Sequence, residues 1–183
     1  GCCPAPLPGT ALADLDAGHM REFAKALQWL ALHHDVVLLD CAAGLAPQAL
    51  ITVLAAHQVV VVTNPEIAAL TDAYALIKCL ARQPGTPKLV LAVNRVAQVG
   101  LGRATFDRLA EVSRRFAGCD IQYLGEVPED PMVTQRRLGQ PPLLRSMPEC
   151  TTTKAVMAMF EYLGRQLETL RSGSGPGVEG RML

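Results

Sequence analysis

Several features that would indicate a particular class of protein are scarce in this sequence. Only 4% of its 183 residues are aromatic, and 17 Lys and Arg residues balance 17 Asp and Glu residues. Because a zero formal net charge lacks the basic excess of most nucleic-acid-binding domains, we expect no direct contact with nucleic acid. Apolar runs are also short, and none approaches the length of a membrane-spanning helix.

Signatures of metal and nucleotide sites are missing as well. None of the six cysteines forms a C-x-x-C pair or has histidine neighbours at zinc-site spacing, so we expect isolated thiols. Such thiols are typical of a reducing compartment, which favours the cytoplasm. No predicted strand leads into a phosphate-binding loop, G-x-x-x-x-G-K-[ST], or into the dinucleotide fingerprint G-x-G-x-x-G.

The sequence does contain a regular alternation of short apolar runs and amphipathic segments. The runs are rich in β-branched residues and too short for buried helices, which predicts the strands of a parallel sheet covered on both faces. Strands are predicted over 35–40, 58–63, 88–94 and 121–124. Helices are predicted over 16–32, 46–56, 67–82, about 106–116, and 152–170. The expected fold is α/β, with three layers and a mostly parallel sheet between helices.

The length of the chain is that of one ordinary domain with a core large enough to need no disulfide or structural metal. We assign residues 1–171 to this domain. The segment 172–183 is rich in Gly and Ser, a composition typical of a flexible tail.

Polar residues follow the predicted strands at their carboxyl ends. Asp40, Thr63 and Asn94 end three of the runs, and the fourth leads into Pro128 and Asp130. Ligands bind at this edge of an open parallel sheet. The sequence therefore places its candidate site there.

Each of these residues also has a purely structural interpretation. Asp40 is suited to holding a water of a Mg²⁺ ion, but Asp also commonly caps the helix after a strand. Asn94 has the paired donor and acceptor that read adenine, but Asn also closes turns. Pro128 offers a flat surface to a base and Asp130 an acceptor, but the same residues start a helix at Pro131. The residues alone leave these alternatives open.

The order of the segments resembles the MinD/ParA class of deviant Walker ATPases. The resemblance is carried by D-V-V-L-L-D-C-A-A-G at 35–44, V-V-T-N-P-E at 61–66, V-N-R at 93–95 and L-G-E-V-P-E-D-P at 124–131. Within that class, T-D-A-Y-A-L-I-K at 71–78 is most similar to the flagellar-number regulators, the FlhG/FleN branch. The resemblance covers roughly residues 10–170.

The resemblance implies a P-loop NTPase-like fold and an ATP-driven switch that dimerises with ATP between its subunits. Asp40 would order the Mg²⁺ shell through water, and Gly44 would sense the γ-phosphate. These are the two implied catalytic residues. Adenine would be recognised by Asn94, Pro128 and Asp130.

The resemblance also implies partners and a location. Thr63, Glu66 and Asp72 would lie near the dimer face of an ATP-bound homodimer. The implied partners are a flagellar SRP-type GTPase, a flagellar transcriptional regulator and basal-body proteins. The implied location is the cytoplasm, with peripheral contact with the inner membrane as an option.

One defining motif of the class is not found. None of the 39 residues before Asp40 matches the deviant phosphate loop K-G-G-x-x-K-[ST]. We therefore expect the chain to be the C-terminal portion of a MinD-like ATPase domain, incomplete at its N-terminus and unable to hydrolyse ATP by itself. The alternative is a non-catalytic protein-interaction module that keeps the fold without binding ATP. A ligase or synthetase on the same fold would need a second polar cluster, which the sequence does not show.

Overall fold

The computed structural model describes residues 17–41 and 47–173. The helices are α1 (Ala17–His33), α2 (Pro47–Leu54), α3 (Ile67–Ala81), α4 (Leu101–Val112), α5 (Pro131–Thr134), α6 (Leu143–Ser146) and α7 (Thr151–Gly173). The strands are β1 (Gln58–Thr63), β2 (Lys88–Val96) and β3 (Gln122–Pro128). A π-helical segment, Ser113–Ala117, continues α4.

The three strands form a parallel sheet in the order β1-β2-β3. The register places Leu91 of β2 between Val61 of β1 and Tyr123 of β3. Because β2 has a neighbour on each side, its apolar residues are the most deeply buried, and Val90 and Val93 are fully inaccessible. Consecutive parallel strands joined by helices give the α/β fold that the alternation of patterns predicts.

One face of the sheet carries the main core. Alternate residues of β2, Leu89, Leu91 and Val93, belong to a single buried cluster together with Ile77 of α3 and Leu109 of α4. Side chains two apart on a strand share a face, so α3 and α4 cover the same side of the sheet.

The opposite face is covered by α7. Val90 and Ala92 point away from the main core and are still buried, and Met159 of α7 is buried as well. Gly125 of β3 has a φ of 152°, and a Cβ atom there would lie 3.0 Å from Met159 Cε, so α7 packs directly on this strand. Helices therefore lie on both faces, which confirms the predicted layers.

The strand predicted over 35–40 is not observed. Residues 36–40 belong to no ladder, and the sheet formed by the described residues ends at β1. A strand has no hydrogen bonds of its own, so an apolar, β-branched run becomes one only beside a neighbour. Here Leu38 is 83% exposed instead of buried between helices.

Several boundaries also differ from the predictions. The run predicted over 58–63 is β1 as expected, but β2 extends past Asn94 to Val96 and β3 extends to Pro128. Helix α7 continues to Gly173, so the first two residues of the predicted tail are helical, and 174–183 lie outside the described residues. Across 17–41 and 47–173, no helix combines the length and the apolar character needed to cross a membrane.

Candidate functional site

The carboxyl ends of the three strands meet at one edge, where β2 contains a bulge. Val93 pairs with Glu126 and Val96 pairs with Pro128. Two residues of β2, Asn94 and Arg95, therefore stand opposite one residue of β3. Bulges re-aim side chains and are frequent next to active sites. This one turns Asn94 and Arg95 out of the ladder, where both are exposed.

The backbone of Arg95 adopts a left-handed conformation, with a φ of 56°. Among the described residues other than glycine, it is alone in having a positive φ. The Asn94 Oδ1 atom accepts a hydrogen bond of 2.9 Å from the Arg95 backbone N–H, which fixes the amide of Asn94 against the bulge. The Nδ2 group of Asn94 is the end of this amide that could donate to a ligand.

The Arg95 guanidinium lies between two carboxylates from the flanking strands. Its Nη1 atom is 3.7 Å from Oε1 of Glu66, which follows β1, and its Nη2 atom is 3.8 Å from Oε1 of Glu129, which follows β3. The family resemblance implies a place for Glu66 at a dimer face, and it assigns no role to Arg95 or Glu129. Their charges at the ends of strands were visible in the sequence, but the bulge that joins them was not.

A shallow cavity of about 230 Å³ surrounds these groups. It is lined by Pro65, Glu66, Arg95, Ala97, Leu101 and Glu129. The combination of short apolar side chains with one cation and two carboxylates suits a polar molecule better than a purely apolar ligand. The predicted base-binding residues Asn94 and Pro128 lie next to two of the lining residues in sequence.

The loop after β1 is ordered by its own polar side chains. Asn64 Oδ1 accepts a hydrogen bond of 2.9 Å from the backbone N–H of Glu66. Thr63 is buried and its hydroxyl donates to the carbonyl of Asn64, whereas Glu66 and Asp72 are exposed. The exposed pair is available to a second subunit, and the assignment of all three residues to a dimer face stays a prediction.

Asp130 has a structural role at this edge. Its Oδ1 atom accepts a hydrogen bond from the backbone N–H of Met132 and so caps α5, with Pro131 in the first turn. Its Oδ2 atom accepts from the hydroxyl groups of Thr151, at 2.9 Å, and Thr152, at 3.3 Å, at the start of α7. Asp130 therefore caps a helix, which is the structural role that the sequence left open as an alternative. The assignment of Asp130 to adenine stays a prediction.

These hydrogen bonds should make the stability of the fold depend on the charge of Asp130. The backbone N–H of Met132 and the hydroxyl of Thr151 hold the pKa of Asp130 below its ordinary value of 3.8. A lowered pKa in the folded state stabilises the fold at any pH above the unfolded value, and this contribution disappears as the pH falls through the folded value. We expect Asp130→Asn to lower the thermal unfolding midpoint by several degrees at neutral pH and by much less at a pH below the lowered, folded-state pKa of Asp130.

The matched control is Asp120→Asn, which alters a carboxylate that is 81% exposed and paired with Arg114. Thermal unfolding is followed by circular dichroism at acid and neutral pH, and each variant is compared with the native chain at the same pH. A difference between the native chain and Asp130→Asn that stays constant over this range would contradict the role of the charge.

The structure describes only one of the two predicted catalytic residues. Asp40 is exposed at the end of the unpaired segment 36–40, and Gly44 lies outside the described residues. In the described part of the chain, no group of three or more His, Cys, Asp or Glu residues could hold a metal ion. A single carboxylate fits Mg²⁺ that is bound mainly by water and nucleotide phosphates, since Mg²⁺ commonly uses one or two protein carboxylates.

Curated relatives with similar sequences share one family. The antiactivator FleN of Pseudomonas aeruginosa is 33% identical over 127 residues, which cover 69% of this chain and 45% of FleN. The flagellum site-determining protein YlxH of Helicobacter pylori is 32% identical over 137 residues, 74% of this chain and 46% of YlxH. The chain belongs to the MinD/ParA class, in the branch of FleN and YlxH. It spans about half the length of these curated relatives.

Solved structures agree with this membership of the MinD/ParA class. The cell division ATPase MinD of Pyrococcus furiosus superposes with a TM-score of 0.63 at 25% identity, over 83% of this chain and 63% of that protein. The MinC:MinD complex of Aquifex aeolicus gives a TM-score of 0.60 at 20% identity, which supports the fold alone. No family model matches the chain.

Proposed function

We propose that this chain carries the base-binding edge of an ATP-driven dimerisation switch that regulates flagellar number or placement. The observation that carries the proposal is the convergence of the Asn94 bulge, the turn at Pro128 and the cavity around Arg95 at the carboxyl ends of parallel strands. Ligands of open α/β sheets bind at this edge. The similarity to FleN and YlxH supports the flagellar assignment.

The proposed roles of the residues are those that the resemblance to the MinD/ParA class implies. Asn94 donates to the base through its Nδ2 group, and Pro128 provides a flat apolar surface beside it. Asp130 holds the turn in place and accepts from the base or the ribose. Asp40 orders Mg²⁺ through water, and Gly44 donates its backbone N–H to the terminal phosphate. Glu66 and Asp72 form the surface on which a second ATP-bound subunit docks, together with Thr63, a buried residue at the end of β1.

The proposed partners are those of the flagellar branch. They are a flagellar SRP-type GTPase, a flagellar transcriptional regulator and basal-body proteins, with the cytoplasm as the location and peripheral contact with the inner membrane. A non-catalytic interaction module is the second candidate, because no segment of this sequence matches the phosphate-loop motif of the class. It predicts a folded chain that binds a partner without any nucleotide.

Nucleotide binding distinguishes the two candidates. We expect a form of the protein that includes a phosphate loop to bind ATP and to dimerise in its presence, measured by calorimetry and by light scattering after size exclusion. Asn94→Ala should weaken ATP binding by about tenfold, the scale of one lost hydrogen-bonding group that recognises a base. Gln98→Ala, an exposed amide in the loop after β2, is the control. Binding of a partner with no measurable affinity for ATP would favour the interaction module.

A further inference from the structure

The ends of all three strands are joined by one side chain. Strands β1 and β3 do not pair with each other, because β2 lies between them. Arg95 of β2 contacts Glu66 on one side and Glu129 on the other. A displacement of either carboxylate therefore changes the position that is most favourable for the guanidinium.

The backbone around Arg95 adds to this arrangement. A left-handed conformation is strained for a residue with a Cβ atom, and such residues are concentrated at functional sites. Immediately after the bulge, the carbonyl of Val96 accepts a hydrogen bond of 3.0 Å from the backbone N–H of Glu129, which ties the end of β2 to the turn. The bulge and the turn should consequently move together.

The two ion pairs contribute little to the stability of the fold. The three side chains are between 44% and 66% exposed, and the atoms of each pair are almost 4 Å apart. Exposed pairs of this kind stabilise proteins weakly, and many of them contribute nothing measurable. Contacts that are this weak can be rearranged by a ligand or a second subunit at small cost, which suits a coupling role better than a structural one.

We propose that Arg95 is a positioning residue that couples the loop 63–66 to the turn 128–130. The coupling itself rests on the contacts of Arg95. The identification of the loop as a subunit surface and of the turn as part of a base site rests on the proposed function. Through Arg95, a ligand against the turn changes the position of Glu66, and a subunit against the loop changes the position of Glu129. Binding at the two sites is then linked, and the linkage is reciprocal.

The coupling can be tested on this chain without any nucleotide. Glu66→Gln removes one carboxylate, and NMR chemical shifts then report on the backbone amides of Glu129, Asp130 and Met132 across the sheet. We expect these amides to shift in the chain with Arg95 and to stay unchanged in an Arg95→Gly background. Glycine accepts a φ of 56° readily, so this background removes the guanidinium and should retain the fold. Equal shifts in both backgrounds would overturn the proposal.

The matched control is Arg103→Gln, because Arg103 is also exposed and paired with one carboxylate, Asp107 of α4. Glu66→Gln should shift the turn amides in this background as it does in the native chain. Loss of the shifts in the Arg103→Gln background as well would also contradict a specific role for Arg95.

The functional consequence is measured in a form of the protein that includes a phosphate loop. We expect Arg95→Gln to weaken dimerisation at saturating ATP by about fivefold, at the lower end of usual coupling between sites. Arg95→Lys, which keeps the charge, should restore part of the loss. Dimerisation unaffected by Arg95→Gln would overturn the proposed coupling. If the native protein does not bind ATP, the proposed function fails, and the NMR comparison alone decides the coupling.

Discussion

Replacing Leu91 with alanine is expected to lower the free energy of unfolding by about 3 kcal/mol. Leu91 lies in the middle strand, is 1% exposed and belongs to the main core under α3 and α4. Val61 of β1 and Tyr123 of β3 lie on either side of Leu91, and each is held in place by the pairing of its strand with β2. They therefore cannot move into the cavity that alanine would leave. A loss of this size is a large fraction of the stability of an ordinary domain.

Urea unfolding followed by circular dichroism measures this loss. Leu138→Ala is the control, since Leu138 is fully exposed and its truncation should change the free energy of unfolding by less than about 0.5 kcal/mol. If Leu91→Ala cost no more than Leu138→Ala, β2 would not be the centre of the core.

Asp40→Ala is expected to reduce Mg²⁺-dependent ATP hydrolysis by about a hundredfold or more, in a form of the protein that includes a phosphate loop. Phosphoryl transfer depends on charge stabilisation around the metal and the phosphates, and removal of one preorganised group commonly has an effect of this order. The fold should be retained, because Asp40 is exposed and lies outside the sheet.

Steady-state turnover at saturating ATP, with the thermal midpoint as a check on folding, makes this comparison. Glu161→Ala, which removes an exposed carboxylate from α7, should leave turnover at the native value. Native turnover in Asp40→Ala would show that Asp40 does not order the metal.

The sequence predicted the buried part of the fold well, because hydrophobic pattern and strand length are local properties. The run of valines between Gln58 and Thr63 is β1 at the predicted bounds. The run 35–40 is also apolar, with two valines and two leucines, and forms no strand, since pairing depends on a neighbour that no local pattern can supply. Pattern alone therefore identified the segments that are able to pair, and tertiary structure decided which of them did.

The candidate site was predicted in outline and missed in detail. The edge of the sheet followed from the polar residues at the ends of the strands, and the capping role of Asp130 is visible in the Asp-Pro pair that begins α5. Its contacts with Thr151 and Thr152 join residues more than 20 positions apart, which a local pattern does not reveal. The bulge at Asn94 and Arg95 depends on the register between β2 and β3, so the link through Arg95 required the structure.

The most direct test of the proposed ATP switch is to read the coding sequence upstream of the Gly1 codon. An ATP switch predicts an in-frame segment there that encodes a strand followed by K-G-G-x-x-K-[ST], because it needs backbone N–H groups and lysines around the phosphates of ATP. An in-frame stop codon with no such segment before it would contradict the ATP switch and would leave the non-catalytic interaction module as the function of this fold.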